Sequence, residues 1–97
     1  MTGSDKILGA IQSHSNELKF YGVRKVGLFG SFARARQHSK SDIDILVEFE
    51  RGGKTFDNYM DLKFFLEKLF HRKVDLVIKD TLKSRIRSRV LSEVRYA

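Results

Sequence analysis

The sequence predicts an α/β (α+β) fold in which helices pack on a short mixed sheet of about three strands. Three observations favour it: three apolar segments have the length of strands, segments of helical periodicity separate them, and turn-forming residues stand between them. The predicted order is α-β-α-β-α-β-α. A chain of 97 residues can bury one core, so we expect a single domain over residues 1–97.

The first half of the chain supplies two of the predicted strands. Apolar residues at near-helical spacing predict a helix over residues 5–20, and Gly22 ends it. Residues 23–29 alternate polar and apolar side chains, as a half-buried strand does. Residues 32–36 have room for one or two helical turns, and the polar run after them leads to a strand over residues 43–49.

The second half continues the alternation after a loop at Gly52 and Gly53. Apolar residues three and four apart predict a helix over residues 57–70, and His71 follows it where a glycine is common, because histidine tolerates the left-handed conformation. Residues 74–78 predict a short buried strand. The aromatic residues expected in the core are Tyr59, Phe64, Phe65 and Phe70. A terminal helix is predicted from a stripe with a period of four: Leu82, Ile86, Val90 and Val94.

The composition favours an anionic partner and excludes several chemistries. The net charge of +7 suits a nucleoside triphosphate, a nucleic acid or an acidic protein surface. The absence of cysteine excludes disulfides, zinc–thiolate sites and a cysteine nucleophile. No apolar run approaches the roughly 20 residues of a membrane span, and the N-terminus lacks the pattern of a signal peptide, so we expect a cytoplasmic protein with no membrane partner. The basic residues of the tail are expected on a solvated helix face: Lys79, Lys83, Arg85, Arg87, Arg89 and Arg95.

Three carboxylates are the strongest candidates for chemistry. Asp42 and Asp44 stand two residues apart at the start of a strand, so both side chains point to the same face and can share a cation. Asp75 lies in an otherwise apolar strand, where an unpaired carboxylate is costly to bury. Its partner is either a shared metal ion or a cation such as Arg24 or Lys25. Oxygen ligands alone favour Mg²⁺ or Mn²⁺ over zinc, and such a site suits phosphoryl transfer.

A Gly-Ser pair precedes these acids at a fixed distance. Gly30 and Ser31 follow a strand and open a predicted helix, an arrangement in which glycine lets a phosphate approach the backbone and Ser31 donates to it. Arg34 adds positive charge nearby. In the segment GSFARARQHSKSDID, ten residues separate Gly-Ser from Asp-x-Asp, and this combination is specific.

The pattern G-S-x10-D-x-D, with a third acid in a later strand, resembles the DNA polymerase β nucleotidyltransferase superfamily, and most closely its minimal branch. The resemblance covers nearly the whole chain, including GSFARARQHSKSDIDILVEF, HRKVDLVI and RVLSEVRYA. It implies ATP as substrate and two Mg²⁺ ions. By this resemblance Gly30 and Ser31 contact the triphosphate, and Arg34 and Ser41 are the further residues that we expect to bind the nucleotide. The metal-binding and catalytic residues that it implies are Asp42, Asp44 and Asp75, with Asp75 also assisting the nucleophile.

Many members of the minimal branch are antitoxins that pair with a HEPN-domain ribonuclease and adenylylate one of its tyrosines. The resemblance therefore implies transfer of AMP from ATP to a tyrosine of a HEPN toxin. Two alternatives stay open: a non-catalytic antitoxin that neutralises its partner by complex formation, and a protein acting on nucleic acid. Homo- or hetero-oligomerisation also stays open. Ala35 and His71 stand where the branch often has glycine.

Overall fold

The computed structural model describes residues 3–34, 36–37 and 41–97. Two residues of the predicted nucleotide-binding loop lie outside this range: Ala35, which stands where a glycine is often found, and His38, whose position in the loop would allow a phosphate contact. The described helices are α1 (Gly3–Ser13), α2 (Ser15–Phe20), α3 (Gly30–Ala33), α4 (Phe56–Phe70) and α5 (Ser84–Glu93). The described strands are β1 (Val23–Phe29), β2 (Ile43–Phe49), β3 (Val74–Ile78) and β4 (Arg95–Tyr96). A 3₁₀ turn, Lys79–Thr81, follows β3.

The described strands form one mixed sheet in the order β3-β2-β1-β4. Strand β1 runs antiparallel to β2 and β4, whereas β2 and β3 are parallel. The predicted α/β fold with a short mixed sheet is thus confirmed, and β1, β2 and β3 have the predicted bounds. The expectation of about three strands misses β4, in which Tyr96 and Arg95 pair with Gly27 and Leu28. Two residues are too few to show the alternation that marks a strand.

The predicted helix over residues 5–20 is two helices in the structure. The break falls at His14, whose φ of −111° and ψ of 27° are not helical. The His14 Nδ1 atom lies 2.8 Å from the carbonyl oxygen of Ala10, a local side-chain bond of the kind that competes with helix continuation. The terminal helix is also shorter than predicted, because Val94 is extended with ψ of 137° and leads into β4.

The prediction for His71 is confirmed. Its φ of 52° and ψ of 41° place it in the left-handed region, and its amide donates to the carbonyl oxygen of Glu67. This contact satisfies one of the last carbonyl groups of α4. The chain can therefore turn into β3 without a glycine.

The two faces of the sheet carry different layers. One face is packed by α1, α2 and α4 around buried residues such as Leu28, Ile45 and Leu76. The other face carries Leu46, which is fully buried, and α5, whose buried residue is Val90. Phe64 was predicted in the core and is instead 57% exposed, because the buried residues of α4, Leu62 and Leu66, lie on another side of the helix. None of the described helices is long and apolar enough to span a membrane.

Candidate active site

Asp44 and Asp75 lie side by side on the face of the sheet that α5 partly covers. In the register of the sheet, Asp44 pairs with Phe29 of β1 on one side and with Asp75 of β3 on the other. Paired residues of neighbouring strands point to the same face, so the two carboxylates face the same way. Asp42 precedes Asp44 by two residues, and its charge reaches the Asp44 carboxyl. The structure therefore brings the three predicted acids together.

The surroundings of Asp75 differ from the prediction. The strand is not buried as a whole, since Asp75 is exposed while Val74 and Leu76 are buried. This alternation is that of a half-buried strand at the edge of the sheet, with its polar side chain on the open part of the face. Among the described residues no ion pair joins Asp75 to Arg24 or Lys25, and the Lys25 ammonium lies instead 4.9 Å from the centre of the Tyr96 ring.

Burial and the neighbouring acids together change the protonation of Asp44. Burial raises the pKa of its carboxyl from 3.8 to about 6, with further increases from the negative charges of Asp75 and Asp42 and from a side-chain hydrogen bond with Asp75. The positive charge of Arg34 acts in the opposite direction and lowers the pKa. At neutral pH the three acids therefore repel one another, and a divalent cation is the kind of ligand that relieves such repulsion.

The donor atoms of Asp42, Asp44 and Asp75 suit Mg²⁺. Carboxylate oxygens are the ligands that Mg²⁺ prefers, and Asp42, Asp44 and Asp75 are the residues that would hold it. The described side chains of histidine, aspartate and glutamate contain no group of three already arranged around a cation position. The fit to Mg²⁺ therefore rests on the mutual repulsion of the acids and on the type of their donor atoms.

Gly30 forms a tight turn directly against Asp44. Its φ of +74° lies in the left-handed region that only glycine adopts without strain. A methyl group built on Gly30 would lie 2.8 Å from Cγ of Asp44 and would overlap Oδ2. Glycine at this position thus lets the carboxylate of Asp44 lie against the backbone at the start of α3.

Ser31 and Ser41 take different places around this turn. Ser31 is the second residue of α3, is partly exposed, and accepts a 2.8 Å hydrogen bond from the Arg36 amide at its carbonyl oxygen. Ser41 is buried, and its carbonyl oxygen accepts a 2.9 Å hydrogen bond from the guanidinium of Arg72. Ser41 therefore anchors the chain just before Asp42, whereas Ser31 stands at the opening of the turn.

Arg34 and the Gly30 amide share a partner that the sequence did not indicate, Glu93 of α5. The Gly30 amide donates to Glu93 Oε1 over 3.2 Å. The Arg34 Nη1 atom donates to both carboxylate oxygens, at 3.1 Å and 3.0 Å. The signal in the sequence was weak, since Glu93 is one of two acids in an otherwise basic tail. Its contacts lie 59 and 63 residues away along the chain, where no local pattern reaches.

A cleft of about 480 Å³ opens between α5 and the carboxylate face of the sheet. Asp75 lines it together with three cations, Lys83, Arg85 and Arg89. The remaining residues that line the cleft are Phe29, Val77, Thr81, Leu82, Ile86 and Val90. The basic tail was expected to form a solvated helix face, and Arg85 and Arg89 are indeed exposed, but they also border the site.

Comparison with known proteins gives consistent matches. Residues 11–97 match the model of the nucleotidyltransferase domain family. The protein adenylyltransferase MntA of Thermococcus cleftensis is 41% identical over 93 residues, which are 95% of this chain and 93% of that protein. A solved structure of a proposed minimal nucleotidyltransferase is 33% identical with a TM-score of 0.82, covering 98% of this chain and 95% of that one. A chain from the complex of tri-AMPylated Shewanella oneidensis HEPN toxin with MNT antitoxin shares the fold at 19% identity and a TM-score of 0.55, covering 88% of this chain and 69% of that one.

Proposed function

Because the chain belongs to the nucleotidyltransferase domain family, in its minimal branch, and is a nucleotidyltransferase, we propose that it transfers AMP from ATP to a hydroxyl group of a partner protein. The proposed reaction requires Mg²⁺, the proposed acceptor is a tyrosine of a HEPN-domain toxin, and the chain acts as the antitoxin of that toxin. The observation that carries this proposal is the pairing of Asp44 with Asp75 beside the Gly30 turn.

The relatives support the choice of donor and acceptor. The MntA protein of Thermococcus cleftensis is a protein adenylyltransferase, and this chain aligns with 93% of its length. The Shewanella oneidensis complex joins an MNT antitoxin to a HEPN toxin that carries three AMP groups. A protein adenylyltransferase and an MNT antitoxin bound to a HEPN toxin that carries AMP are thus found among the relatives and structural neighbours, and we propose the corresponding transfer for this chain.

In the proposed reaction, the acceptor oxygen forms a bond to the α-phosphorus of ATP. The bond between that phosphorus and the oxygen bridging to the β-phosphate breaks, and pyrophosphate leaves with the electron pair. When bound at Asp42, Asp44 and Asp75, Mg²⁺ supplies positive charge that offsets the charges of the triphosphate and the acids. The proton of the acceptor hydroxyl passes to a carboxylate, and we assign this step to Asp75 because it is exposed and lines the cleft.

The remaining residues of the site bind and orient. Ser31 and Arg34 stand at the turn where the phosphates bind, and Gly30 keeps this turn against the Asp44 carboxylate. The acceptor side chain is assigned to the cleft under α5, since its volume of about 480 Å³ accommodates a tyrosine and Asp75 lines it. Holding both substrates in this way supplies part of the catalysis, because orientation alone can contribute several kcal/mol.

The test is to incubate the chain with ATP, Mg²⁺ and a HEPN-domain protein from the same genome, and to measure the intact mass of that partner. We expect one or more added AMP groups, and none when Mg²⁺ is chelated or when Asp42 and Asp44 are both changed to Asn. The matched control is Asp61→Asn, which removes one exposed carboxylate of α4 and should transfer AMP normally.

The outcome separates catalysis from simple binding. A doubly substituted chain that still transfers AMP would contradict the assignment of the acids. A substituted chain that transfers nothing and still neutralises the toxin as well as the wild type does would favour the non-catalytic antitoxin.

A further inference from the structure

Glu93 joins the C-terminal helix to the turn that opens α3. Its carboxylate, at the last residue of α5, accepts hydrogen bonds from the Gly30 amide at 3.2 Å and from Arg34 at 3.0 Å and 3.1 Å. We propose that Glu93 is a positioning residue, which holds the Gly30 turn and the Arg34 guanidinium in the arrangement that receives the phosphates of the nucleotide. This inference rests on the proposed function and adds a residue to it.

The backbone around Glu93 is fixed to the sheet. Val94 packs against β1 so closely that a methyl group on Gly27 would lie 2.6 Å from its Cγ2 atom. Arg95 pairs with Leu28 in the sheet, and its guanidinium donates to the Ser4 hydroxyl at 2.9 Å. These contacts restrain the chain on the C-terminal side of Glu93. The Glu93 carboxylate therefore contacts the Gly30 turn from a fixed position. The Glu93 side chain is also only 18% exposed, which limits the space for other rotamers.

The Gly30 turn, which Glu93 contacts, lies against the carboxylate of Asp44. The Asp44 carboxylate occupies the space that a side chain at position 30 would need, so it lies in direct contact with the Gly30 backbone. A movement of that backbone would therefore change the position of the Asp44 carboxylate. A half-buried backbone amide needs an acceptor, and Glu93 Oε1 is that acceptor. The Glu93 carboxylate therefore fixes the direction of the Gly30 amide and, with it, the start of α3.

The contact to Arg34 orients a cation toward the same site. A guanidinium has five N–H donors, and the carboxylate engages the Nη1 atom, so further donors remain for a phosphate. The Arg34 side chain is 46% exposed, and a free arginine of that exposure samples many rotamers. The Arg34 amide donates to the Gly30 carbonyl oxygen over 3.1 Å, so Arg34 stays at the turn that lies against Asp44.

Two other roles for Glu93 predict different effects on nucleotide affinity. If its carboxylate occupied the place of a phosphate, it would compete with the nucleotide, and its removal would strengthen nucleotide binding. If the contact served folding alone, its removal would lower the melting temperature and leave nucleotide affinity unchanged. A positioning residue, in contrast, must improve nucleotide affinity.

The experiment measures binding of α,β-methylene-ATP with Mg²⁺ to the full chain by calorimetry, for wild type, Glu93→Ala, Glu93→Gln and Arg34→Ala. We expect Glu93→Ala to weaken binding about tenfold, as loss of an oriented charge-assisted contact does. Glu93→Gln should stay within about threefold, because its amide oxygen still accepts from the Gly30 amide. In the Arg34→Ala background, Glu93→Ala should cost less than its full effect, since the two residues act through one contact.

One further measurement and one control variant separate positioning from folding. The Gly30 amide resonance in ¹H–¹⁵N NMR spectra should shift in Glu93→Ala and shift less in Glu93→Gln. The matched control is Asp61→Asn, which removes an exposed carboxylate of α4, on the other face of the sheet, and should leave nucleotide affinity unchanged.

Tighter binding by Glu93→Ala, or wild-type affinity with only a lower melting temperature, would overturn the inference while the proposed function stands. A wild-type chain that binds no nucleotide would overturn the proposed function, and the inference with it.

Discussion

Replacing Asp44 by Asn should stabilise the metal-free protein at neutral pH. The pKa of the Asp44 carboxyl is raised from 3.8 to about 6, so the folded state prefers the protonated form. This preference contributes its full stability below pH 4 and is lost as the pH rises through about 6. At pH 7.5 the ionised Asp44 therefore destabilises the fold, and an uncharged Asn removes that cost.

The size of the stabilisation by Asp44→Asn follows from the rise in the pKa of Asp44. A rise of about two pKa units corresponds to about 3 kcal/mol at most, at 1.36 kcal/mol per unit. The carboxyl is only partly buried, and screening by solvent reduces this to about 1–2 kcal/mol. For a domain of this size, such a gain raises the melting temperature by about 5–10 °C.

The assay is thermal unfolding followed by circular dichroism from pH 4 to pH 8 with a chelator present. The wild type should lose stability relative to Asp44→Asn as the pH rises through about 6, and the two should converge near pH 4. Asp61→Asn is the control, because Asp61 is exposed on α4 and should give no such gain. An Asp44→Asn protein that is less stable than wild type at pH 7.5, or a difference that does not depend on pH, would refute the reasoning.

Three other substitutions test neighbouring parts of the account. Gly30→Ala should lower the free energy of unfolding by about 1–3 kcal/mol in chemical denaturation and abolish AMP transfer, because alanine is strained at φ of +74° and overlaps Asp44. The control is Gly9→Ala, which has open space around it in α1 and should raise the free energy of unfolding by about 0.5–1 kcal/mol. Thr55→Ala should cost about 1 kcal/mol in the same measurement, since it removes the 3.1 Å cap bond at the start of α4, and unchanged stability would count against that cap. Asp75→Asn should slow AMP transfer, followed by intact mass, by about 100-fold or more if it takes the proton of the acceptor, and a loss of less than tenfold would remove that role.

The strands that carry the site were predictable because their signals are local. Apolar and acidic residues alternate from Asp42 into the start of β2, and this alternation places Asp42 and Asp44 on the face opposite the buried Ile43 and Ile45. Strand β4 was not predictable, because its two residues become a strand only through pairing with β1. A short strand without periodicity depends on tertiary contacts that one sequence does not display.

The other errors of the sequence-based prediction have a common origin in tertiary context. Asp75 was expected inside a buried strand because its neighbours are apolar, but β3 lies at the edge of the sheet and α5 leaves its polar face open. Phe64 was expected in the core by residue type, and the orientation of α4 leaves it exposed. Glu93 meets Gly30 across 63 residues, a contact that is fixed only once α5 crosses the sheet and β4 anchors its end.

The most direct test of the account is a crystal structure of the chain with α,β-methylene-ATP and Mn²⁺, with the metal located by its anomalous scattering. We expect an anomalous peak within coordination distance of the carboxylates of Asp42, Asp44 and Asp75, with the phosphates at the Gly30 turn. A nucleotide bound away from that turn, or a metal peak that none of the three carboxylates contacts, would contradict it.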